Sequence, residues 1–206
     1  MRSNVLILTL AVTVAYLQYS NACSCMGYHP QTQYCRADFV ILARVKRSTV
    51  LNSLKVYKVR IRKTYKGSDK ATVALKSGRL LTASDEAMCG ANLEAGRVYA
   101  ISGQVNSLKA HINLCGMAIP WRNLTRRQRK GLKSVYKKGC DCRIEYCAGR
   151  KCHKTPDTCL LTNRFCHPKQ AICLRQKSRK CMWGRNDDLK KCLLPFLGGS
   201  DRRSVR

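Results

Sequence analysis

The segment Cys23-Ser24-Cys25-Met26-Gly27-Tyr28-His29-Pro30 opens the part of the chain that we expect to fold. It follows an apolar run over residues 5–17, which is preceded by Arg2 and ends in the small-residue pattern Ser20-Asn21-Ala22. This arrangement is typical of a secretory signal peptide, and the run is too short and too interrupted to be a membrane span. We therefore predict a signal peptide over residues 1–22, no membrane span, and a secreted chain that begins at Cys23.

The number of cysteines predicts a disulfide framework. The chain has 14 cysteines, and a secreted chain folds in an oxidising compartment. Five of them precede residue 140 and nine lie from residue 140 onward. Both counts are odd, so at least one bridge joins the two parts if all are paired within the chain. Spacing alone leaves the pairing open.

The charge of the chain is strongly positive. Its formal net charge is +29 at pH 7, and loss of Arg2 with the leader lowers this by one unit. Such a surface attracts polyanions, and outside a cell these are sulfated matrix glycans rather than nucleic acid. The alternative interpretation is a surface charge that serves solubility alone. Because salt screens isolated charges, only clustered ones should bind a glycan.

Alternating and buried apolar runs predict a small β-barrel. Strands are indicated at residues 37–45, 54–63, 71–75, 97–103 and 108–114, with turns at 66–69 and 105–107. Five short strands at this spacing favour a closed barrel of the oligonucleotide/oligosaccharide-binding (OB) type. The connection over residues 76–95 is predicted to be a loop outside the barrel wall, pinned by a bridge at Cys89. The fold class is thus mainly β with helices.

A basic helix is predicted after the barrel. Thr125-Arg126-Arg127-Gln128 has the pattern of a capping box, and Gly139 suits the C′ position. Leu132, Val135 and Tyr136 form its expected buried stripe. Its exposed face is predicted to carry a glycan-binding patch of Arg126, Arg127, Arg129, Lys130, Lys133, Lys137 and Lys138; the alternative is an ordinary solvated face.

Two domains follow from these patterns. Residues 23–139 form the barrel domain, and residues 140–206 form a small cysteine-rich domain with a solvated tail from residue 198. Apolar periodicity fades after residue 140, so disulfides must replace a large core there. A zinc site at Cys140, Cys142, Cys147 and Cys152 is possible from spacing, but bridges are favoured in a secreted chain.

The sequence argues against an enzyme. It has no His-Glu-x-x-His, Gly-x-Ser-x-Gly, phosphate-binding loop or dinucleotide-binding motif, and its carboxylates form no obvious acid–base pair. The mature terminus is the remaining candidate for chemistry. A free α-amine has a pKa near 8, and the nitrogen and carbonyl oxygen of Cys23 can close a five-membered chelate on the open position of another protein's catalytic zinc. The alternative is that Cys23 is only a bridge cysteine with an idle amine.

Several motifs resemble one known family. Cys23-Ser24-Cys25, His29-Pro30-Gln31, Ala87-Met88-Cys89-Gly90, His111-Ile112-Asn113-Leu114-Cys115 and Cys181-Met182-Trp183 are similar to motifs of the tissue inhibitors of metalloproteinases. The resemblance covers nearly the whole mature chain. It implies a secreted inhibitor of matrix metalloproteinases and related zinc endopeptidases, built from an OB-type, netrin-like barrel and a smaller cysteine-rich lobe.

The resemblance also implies the disulfide pairing. Carried onto matching positions, the family's bridges are Cys23–Cys89, Cys25–Cys115, Cys35–Cys140, Cys142–Cys181, Cys147–Cys152 and Cys159–Cys173. Cys166 and Cys192 have no counterpart in this pattern. We predict that these two cysteines form a seventh bridge.

The resemblance implies a mode of inhibition. Cys23 would chelate the protease zinc through its amine and carbonyl, and Ser24 would enter the specificity pocket. Further contacts are implied along the cleft, at Cys25, Met26, Gly27, Asp85, Glu86, Ala87, Met88, Cys89, Asn113 and Leu114. The inhibitor would have no cofactor of its own and would bind its target 1:1.

Three features leave alternatives open. Gly27 replaces the proline that is usual in the family, and the short segment 47–55 lacks the long loop that some members lay over the protease rim. Asn123-Leu124-Thr125 is a glycosylation sequon whose occupancy is undecided. The alternative function is a netrin-like module that binds heparan sulfate or other matrix and signals without inhibiting a protease.

Overall fold

A closed barrel forms the larger part of the molecule. The computed structural model describes residues 23, 25, 28–147 and 152–197. The sheet order is β1-β2-β3-β5-β4, and pairing of β1 with β4 closes the barrel, while β6 adds to β4. This confirms the predicted OB-type fold class. The strands are β1 (Phe39–Leu51), β2 (Leu54–Gly67), β3 (Arg79–Ala83), β4 (Val98–Asn106), β5 (Lys109–His111) and β6 (Ala118–Pro120).

The β1–β2 hairpin confirms the two clearest strand predictions. Tyr57 and Val59 point into the core, whereas Lys58, Arg60 and Arg62 are exposed, as the alternation predicts. The hairpin ends in a tight turn at Asn52, whose φ is 53°. Residues 47–55, expected to lack a long loop, therefore form the end of this hairpin.

Two predictions between residues 66 and 95 are wrong. Residues 71–75 lie in helix α2 (Asp69–Leu75), not in a strand. The Ser68 side chain caps this helix by accepting from the Ala71 amide, and the spacing of its alanines and Leu75 buries one helical face. The connection 76–95 does contribute to the barrel wall, because it contains β3, which pairs with β2 and β5.

The predicted basic helix exists but changes its winding. Helix α3 (Arg126–Lys130) has the capping box of Thr125 and Gln128, and continues as a wider turn to residue 135 and a 3-10 turn to residue 139. The prediction that Gly139 occupies the C′ position is wrong, because Gly139 is the last residue of the 3-10 turn. A Cβ there would overlap the Cys173 carbonyl oxygen, so a close approach of two segments requires this glycine.

Short elements and disulfides build the second lobe. Its elements are β7 (Arg143–Tyr146), β8 (Thr158–Leu161), α4 (Cys166–Gln170), β9 (Cys173–Arg175), β10 (Cys181–Trp183) and α5 (Asp187–Leu197). The structure forms the six bridges that the resemblance implies and the predicted seventh: Cys23–Cys89, Cys25–Cys115, Cys35–Cys140, Cys142–Cys181, Cys147–Cys152, Cys159–Cys173 and Cys166–Cys192. No helix in the described ranges is long and apolar enough to cross a membrane.

Helix α1 (Pro30–Arg36) joins the two lobes. The buried Gln31 donates through Nε2 to the carbonyls of Gly139 at 2.9 Å and Cys173 at 2.8 Å, and its Oε1 accepts from the Cys173 amide at 3.0 Å. His29 Nε2 lies 3.0 Å from the His167 carbonyl oxygen. The segment that follows Cys25 is therefore hydrogen-bonded to the second lobe. The division at residues 139 and 140 stays a prediction.

Candidate functional site

Two neighbouring disulfides hold the start of the described chain against two loops. The Sγ atom of Cys23 lies 3.9 Å from that of Cys25 and 4.0 Å from that of Cys115. Because β3 and β5 run parallel, the loops that follow them leave the barrel at the same end. The bridges tie Cys23 to Cys89 in the first loop and Cys25 to Cys115 in the second. We call this assembly the ridge: residues 23, 25, 85–90 and 113–115.

The sulfur cluster of the ridge is a crosslink rather than a metal site. The Sγ atoms of Cys23, Cys89 and Cys115 lie within 4.8 Å of one another. Each belongs to a disulfide, whereas the form of cysteine that binds metal is the thiolate. The cysteines of this cluster therefore offer no thiolate to a metal ion.

Hydrogen bonds to Asp85 stabilise the loop 85–90. Its carboxylate accepts from the Ala87 amide at 2.8 Å, and its carbonyl accepts from the amides of Met88 at 3.2 Å and Gly90 at 2.8 Å. Cys89 has a left-handed φ of 62°. A Cβ on Gly90 would overlap the carbonyl oxygens of Ala83 and Asp85, so the tight return of the loop requires glycine.

The backbone nitrogen of Cys23 has a defined place in this loop. It donates to the Ala87 carbonyl oxygen at 3.0 Å, while the side chain is bridged to Cys89. The Leu114 amide donates to the Cys89 carbonyl at 2.9 Å and so joins the two loops. The nitrogen of residue 23 is thus held through both its hydrogen bond and its disulfide.

The rim of the ridge is open to a partner. Met88 and Leu114 are 55% and 44% exposed, so both present apolar surface at the rim. Asp85, Glu86, Ala87 and Asn113 are also exposed. The structure therefore brings together the predicted contact residues from three separate parts of the chain. Ser24, Met26 and Gly27, also predicted contacts, lie outside the described residues.

Hydrogen bonds fix the residues behind the ridge. The His29 side chain caps α1 by accepting from the Gln31 amide at 3.1 Å, and burial lowers its pKa from 6.5 to about 4. At the other end of α1, Lys66 donates to the carbonyls of Tyr34 at 3.1 Å and Cys35 at 2.7 Å. Gln33 Nε2 donates to the Cys115 carbonyl at 3.1 Å. Helix α1 is thus fastened to the second ridge disulfide.

Sequence reasoning missed how the ridge is supported. In the sequence Gly90 stands out only as part of a motif, and the caps made by Asp85 and His29 are not among the predictions. An Asp side chain often accepts a hydrogen bond from the backbone amide two residues later, so the cap made by Asp85 could have been predicted from the sequence. The role of Gly90 could not, because it depends on the position of Ala83 in β3.

Comparison with known proteins decides the family. A family model described as "Tissue inhibitor of metalloproteinase" matches residues 21–183. A protein of that description from Drosophila melanogaster is 34% identical over 200 residues, which cover 91% of this chain and 93% of the relative. The chain belongs to the tissue inhibitor of metalloproteinase family.

Vertebrate members of the family are similar over comparable lengths. Metalloproteinase inhibitor 3 of Scyliorhinus torazame is 32% identical over 82% of this chain and 83% of its own. Metalloproteinase inhibitor 2 of Homo sapiens is 31% identical over 87% of this chain and 89% of its own. Membership confirms the resemblance: the chain is an inhibitor and not an enzyme, and its partners are metalloproteinases.

The basic patch predicted for this tissue inhibitor of metalloproteinases is smaller than expected. Arg127 and Arg129 are half-buried rather than exposed. The Arg129 guanidinium lies 4.8 Å from the centre of the Trp121 ring and donates to the Trp121 carbonyl at 2.8 Å. Arg127 and Arg129 are half-buried because their turn of the helix packs on Trp121 and the second lobe. The exposed members are Arg126, Lys130, Lys133, Lys137 and Lys138.

A second basic feature of this family member lies on the barrel. A pocket of about 540 Å³ is lined by Arg44, Arg62, Arg97 and Arg122, together with Trp121, Gly96, Val98, Pro120 and Asn123. Within the described ranges, Arg97 is the member of this set with an ion pair, to Glu94 at 2.9 Å. We call this feature the arginine pocket.

Proposed function

We propose that this metalloproteinase inhibitor is secreted, begins at Cys23 after removal of residues 1–22, and binds the catalytic zinc of its target through the Cys23 amine and carbonyl oxygen. The observation that carries the proposal is the place of the Cys23 nitrogen, 3.0 Å from the Ala87 carbonyl oxygen and beside two disulfides. Removal of residue 22 converts this nitrogen from an amide, which cannot bind zinc, into an amine, which can.

The chemistry follows from the coordination of catalytic zinc. Such an ion keeps one position for the water that attacks the substrate, and a five-membered chelate from one residue displaces that water. The deprotonated amine supplies a lone pair, and the carbonyl oxygen supplies the second ligand. Without the bound water there is no nucleophile, so hydrolysis stops.

In this proposal the order of the ridge favours tight binding through a short contact. Its two disulfides and the hydrogen bond between the two loops order it before the protease arrives, so little conformational entropy is lost in the complex. In this proposal Ser24 enters the specificity pocket, and Met26 and Gly27 continue along the cleft. Met88 and Leu114 supply exposed apolar area on the other side.

A one-residue extension tests the proposal. Protein that begins at Cys23 is compared with protein that retains Ala22, by titration against a purified matrix metalloproteinase. We expect the extension to weaken inhibition by at least about a hundredfold, because an amide nitrogen replaces the amine. Equal thermal unfolding of the two proteins is the control. Equal inhibition by both would refute zinc binding by the amine, and N-terminal sequencing of the exported protein tests the cleavage.

A second function is favoured by the arginine pocket. We propose that this inhibitor also binds sulfated matrix glycans, and that the pocket contributes more than the helical patch. Four arginines, Arg44, Arg62, Arg97 and Arg122, line this one pocket. Closely spaced guanidinium groups in a concave surface focus positive potential and match sulfate geometry.

Matched charge removal tests the glycan proposal. The double variant Arg44→Ser and Arg62→Ser should elute from heparin at lower salt than the double variant Lys133→Ser and Lys137→Ser, which removes the same charge from the helix. Inhibition by both should be unchanged, because neither pair lies on the ridge. Equal elution of the two variants would indicate a general charge effect and would contradict a specific role for the pocket.

A further inference from the structure

We infer that Asp85 is a positioning residue for inhibition: its side chain holds the Ala87 carbonyl where it orients the Cys23 amine toward the target's zinc. The inference rests on the proposed function. It concerns hydrogen bonding by Asp85 and not its charge or a contact with the protease.

The first step is the geometry of the turn over residues 86–88. This 3-10 turn has only three residues, so it is not stable by itself. The Asp85 carboxylate accepts from the Ala87 amide at 2.8 Å, and the Asp85 carbonyl accepts from Gly90 at 2.8 Å. The side chain therefore acts on the peptide plane that precedes the Ala87 carbonyl, while the main chain closes the loop.

The second step is the link from Ala87 to the terminus. The Ala87 carbonyl oxygen accepts from the Cys23 nitrogen at 3.0 Å. The disulfide to Cys89 restrains the side chain of Cys23 but leaves rotation of its backbone possible. A hydrogen bond to the nitrogen removes that rotation. This hydrogen bond therefore sets the directions of the other hydrogen and the lone pair on the Cys23 nitrogen.

The third step is the bonding capacity of a neutral amine. After processing, the amine has two hydrogens and one lone pair. One hydrogen donates to the Ala87 carbonyl oxygen, and the lone pair is then directed away from that oxygen, toward a zinc ion. The hydrogen bond and the coordination bond are therefore compatible and both are formed in the complex.

Three variants separate positioning from charge. Asp85→Ala removes the cap, and we expect inhibition of a matrix metalloproteinase to weaken by about tenfold, the scale of one lost capping bond. Asp85→Asn retains a side-chain oxygen without the charge and should restore inhibition to within about threefold of the wild type. Ser68→Ala removes the corresponding cap from α2, away from the ridge, and should leave inhibition unchanged.

The same change in the extended protein supplies an independent readout. Asp85→Ala is introduced into protein that retains Ala22, and affinity is measured by surface plasmon resonance at micromolar concentration. The Cys23 nitrogen is an amide there and cannot bind zinc, so the substitution should weaken binding by a smaller factor than it does in the processed protein. Hydrogen exchange of the Ala87 amide in the free inhibitor should be faster in Asp85→Ala, which checks that the cap is lost in a folded protein.

Each outcome bears on one proposal. If wild-type and extended proteins inhibit equally, the zinc-binding proposal fails. If they differ but Asp85→Ala inhibits as well as wild type, the role of Asp85 is refuted and zinc binding is retained. An Asn variant as weak as the Ala variant, or equal weakening in the extended protein, would show that Asp85 acts through charge or contact and would overturn the inference.

Discussion

Acid should weaken the junction between the lobes through His29. This side chain is 1% exposed, accepts from the Gln31 amide through Nδ1, and lies 3.0 Å from the His167 carbonyl through Nε2. These contacts suit a neutral ring that donates through Nε2, and a protonated ring has no acceptor for the Gln31 amide. Burial lowers the pKa of His29 from 6.5 to about 4, so the folded state favours the neutral ring.

The sign and size of the effect follow from this pKa. The stabilisation is complete above pH 6.5, is lost as the pH falls toward the folded-state value, and levels off below about pH 4. Between about pH 7.5 and about pH 5 the linkage relation gives a loss of about 2 kcal/mol in the free energy of unfolding. His167, whose pKa is also lowered by burial, changes in the same direction, so a comparison must isolate His29.

The assay compares wild type with His29→Asn, which keeps a capping oxygen but does not titrate. Guanidinium unfolding with intact disulfides is followed by tryptophan fluorescence, and the ring of Trp183 lies 5.4 Å from that of His29. The wild type should lose about 2 kcal/mol more than the variant between the two pH values. An equal loss in both proteins would refute the assignment, as would an NMR titration in which the His29 ring protonates near pH 6.5.

Three further predictions concern single contacts. Gln31→Leu removes three buried hydrogen bonds and should lower the free energy of unfolding by roughly 3 kcal/mol, measured by guanidinium titration. Gly90→Ala forces a Cβ onto the Ala83 carbonyl oxygen. The main effect should be weaker inhibition, measured by titration against a protease, with a smaller effect on the melting temperature. Replacing both Cys166 and Cys192 by Ser opens a bridge spanning 26 residues, and should cost about 3 kcal/mol of stability without a change in inhibition.

The short Ala71–Leu75 segment shows where local pattern fails. A run of five mostly apolar residues fits a buried strand and one helical face equally well. The cap from Ser68 decides for the helix, and β2 must already have ended for that cap to form. The sequence pattern predicts a loop at strand β3 for a related reason. Its backbone groups pair with β2 and β5, which are distant in sequence, so no local signal marks it as part of the barrel wall.

The sequence by itself determined the long strands of the hairpin, the capping box at Thr125, and the requirement that a disulfide join the two parts of the chain. These depend on side-chain alternation, on four adjacent residues and on a count, all of which are local or additive. Tertiary structure decided the rest. The loops at Cys89 and Cys115 reach Cys23 and Cys25 because two parallel strands end side by side. Three further features exist only once distant segments pack. They are the burial of Arg127 and Arg129, the close approach of Gly139 to Cys173, and the hydrogen bond from Cys23 to Ala87. Each depends on a distance between residues that the order of the chain does not set.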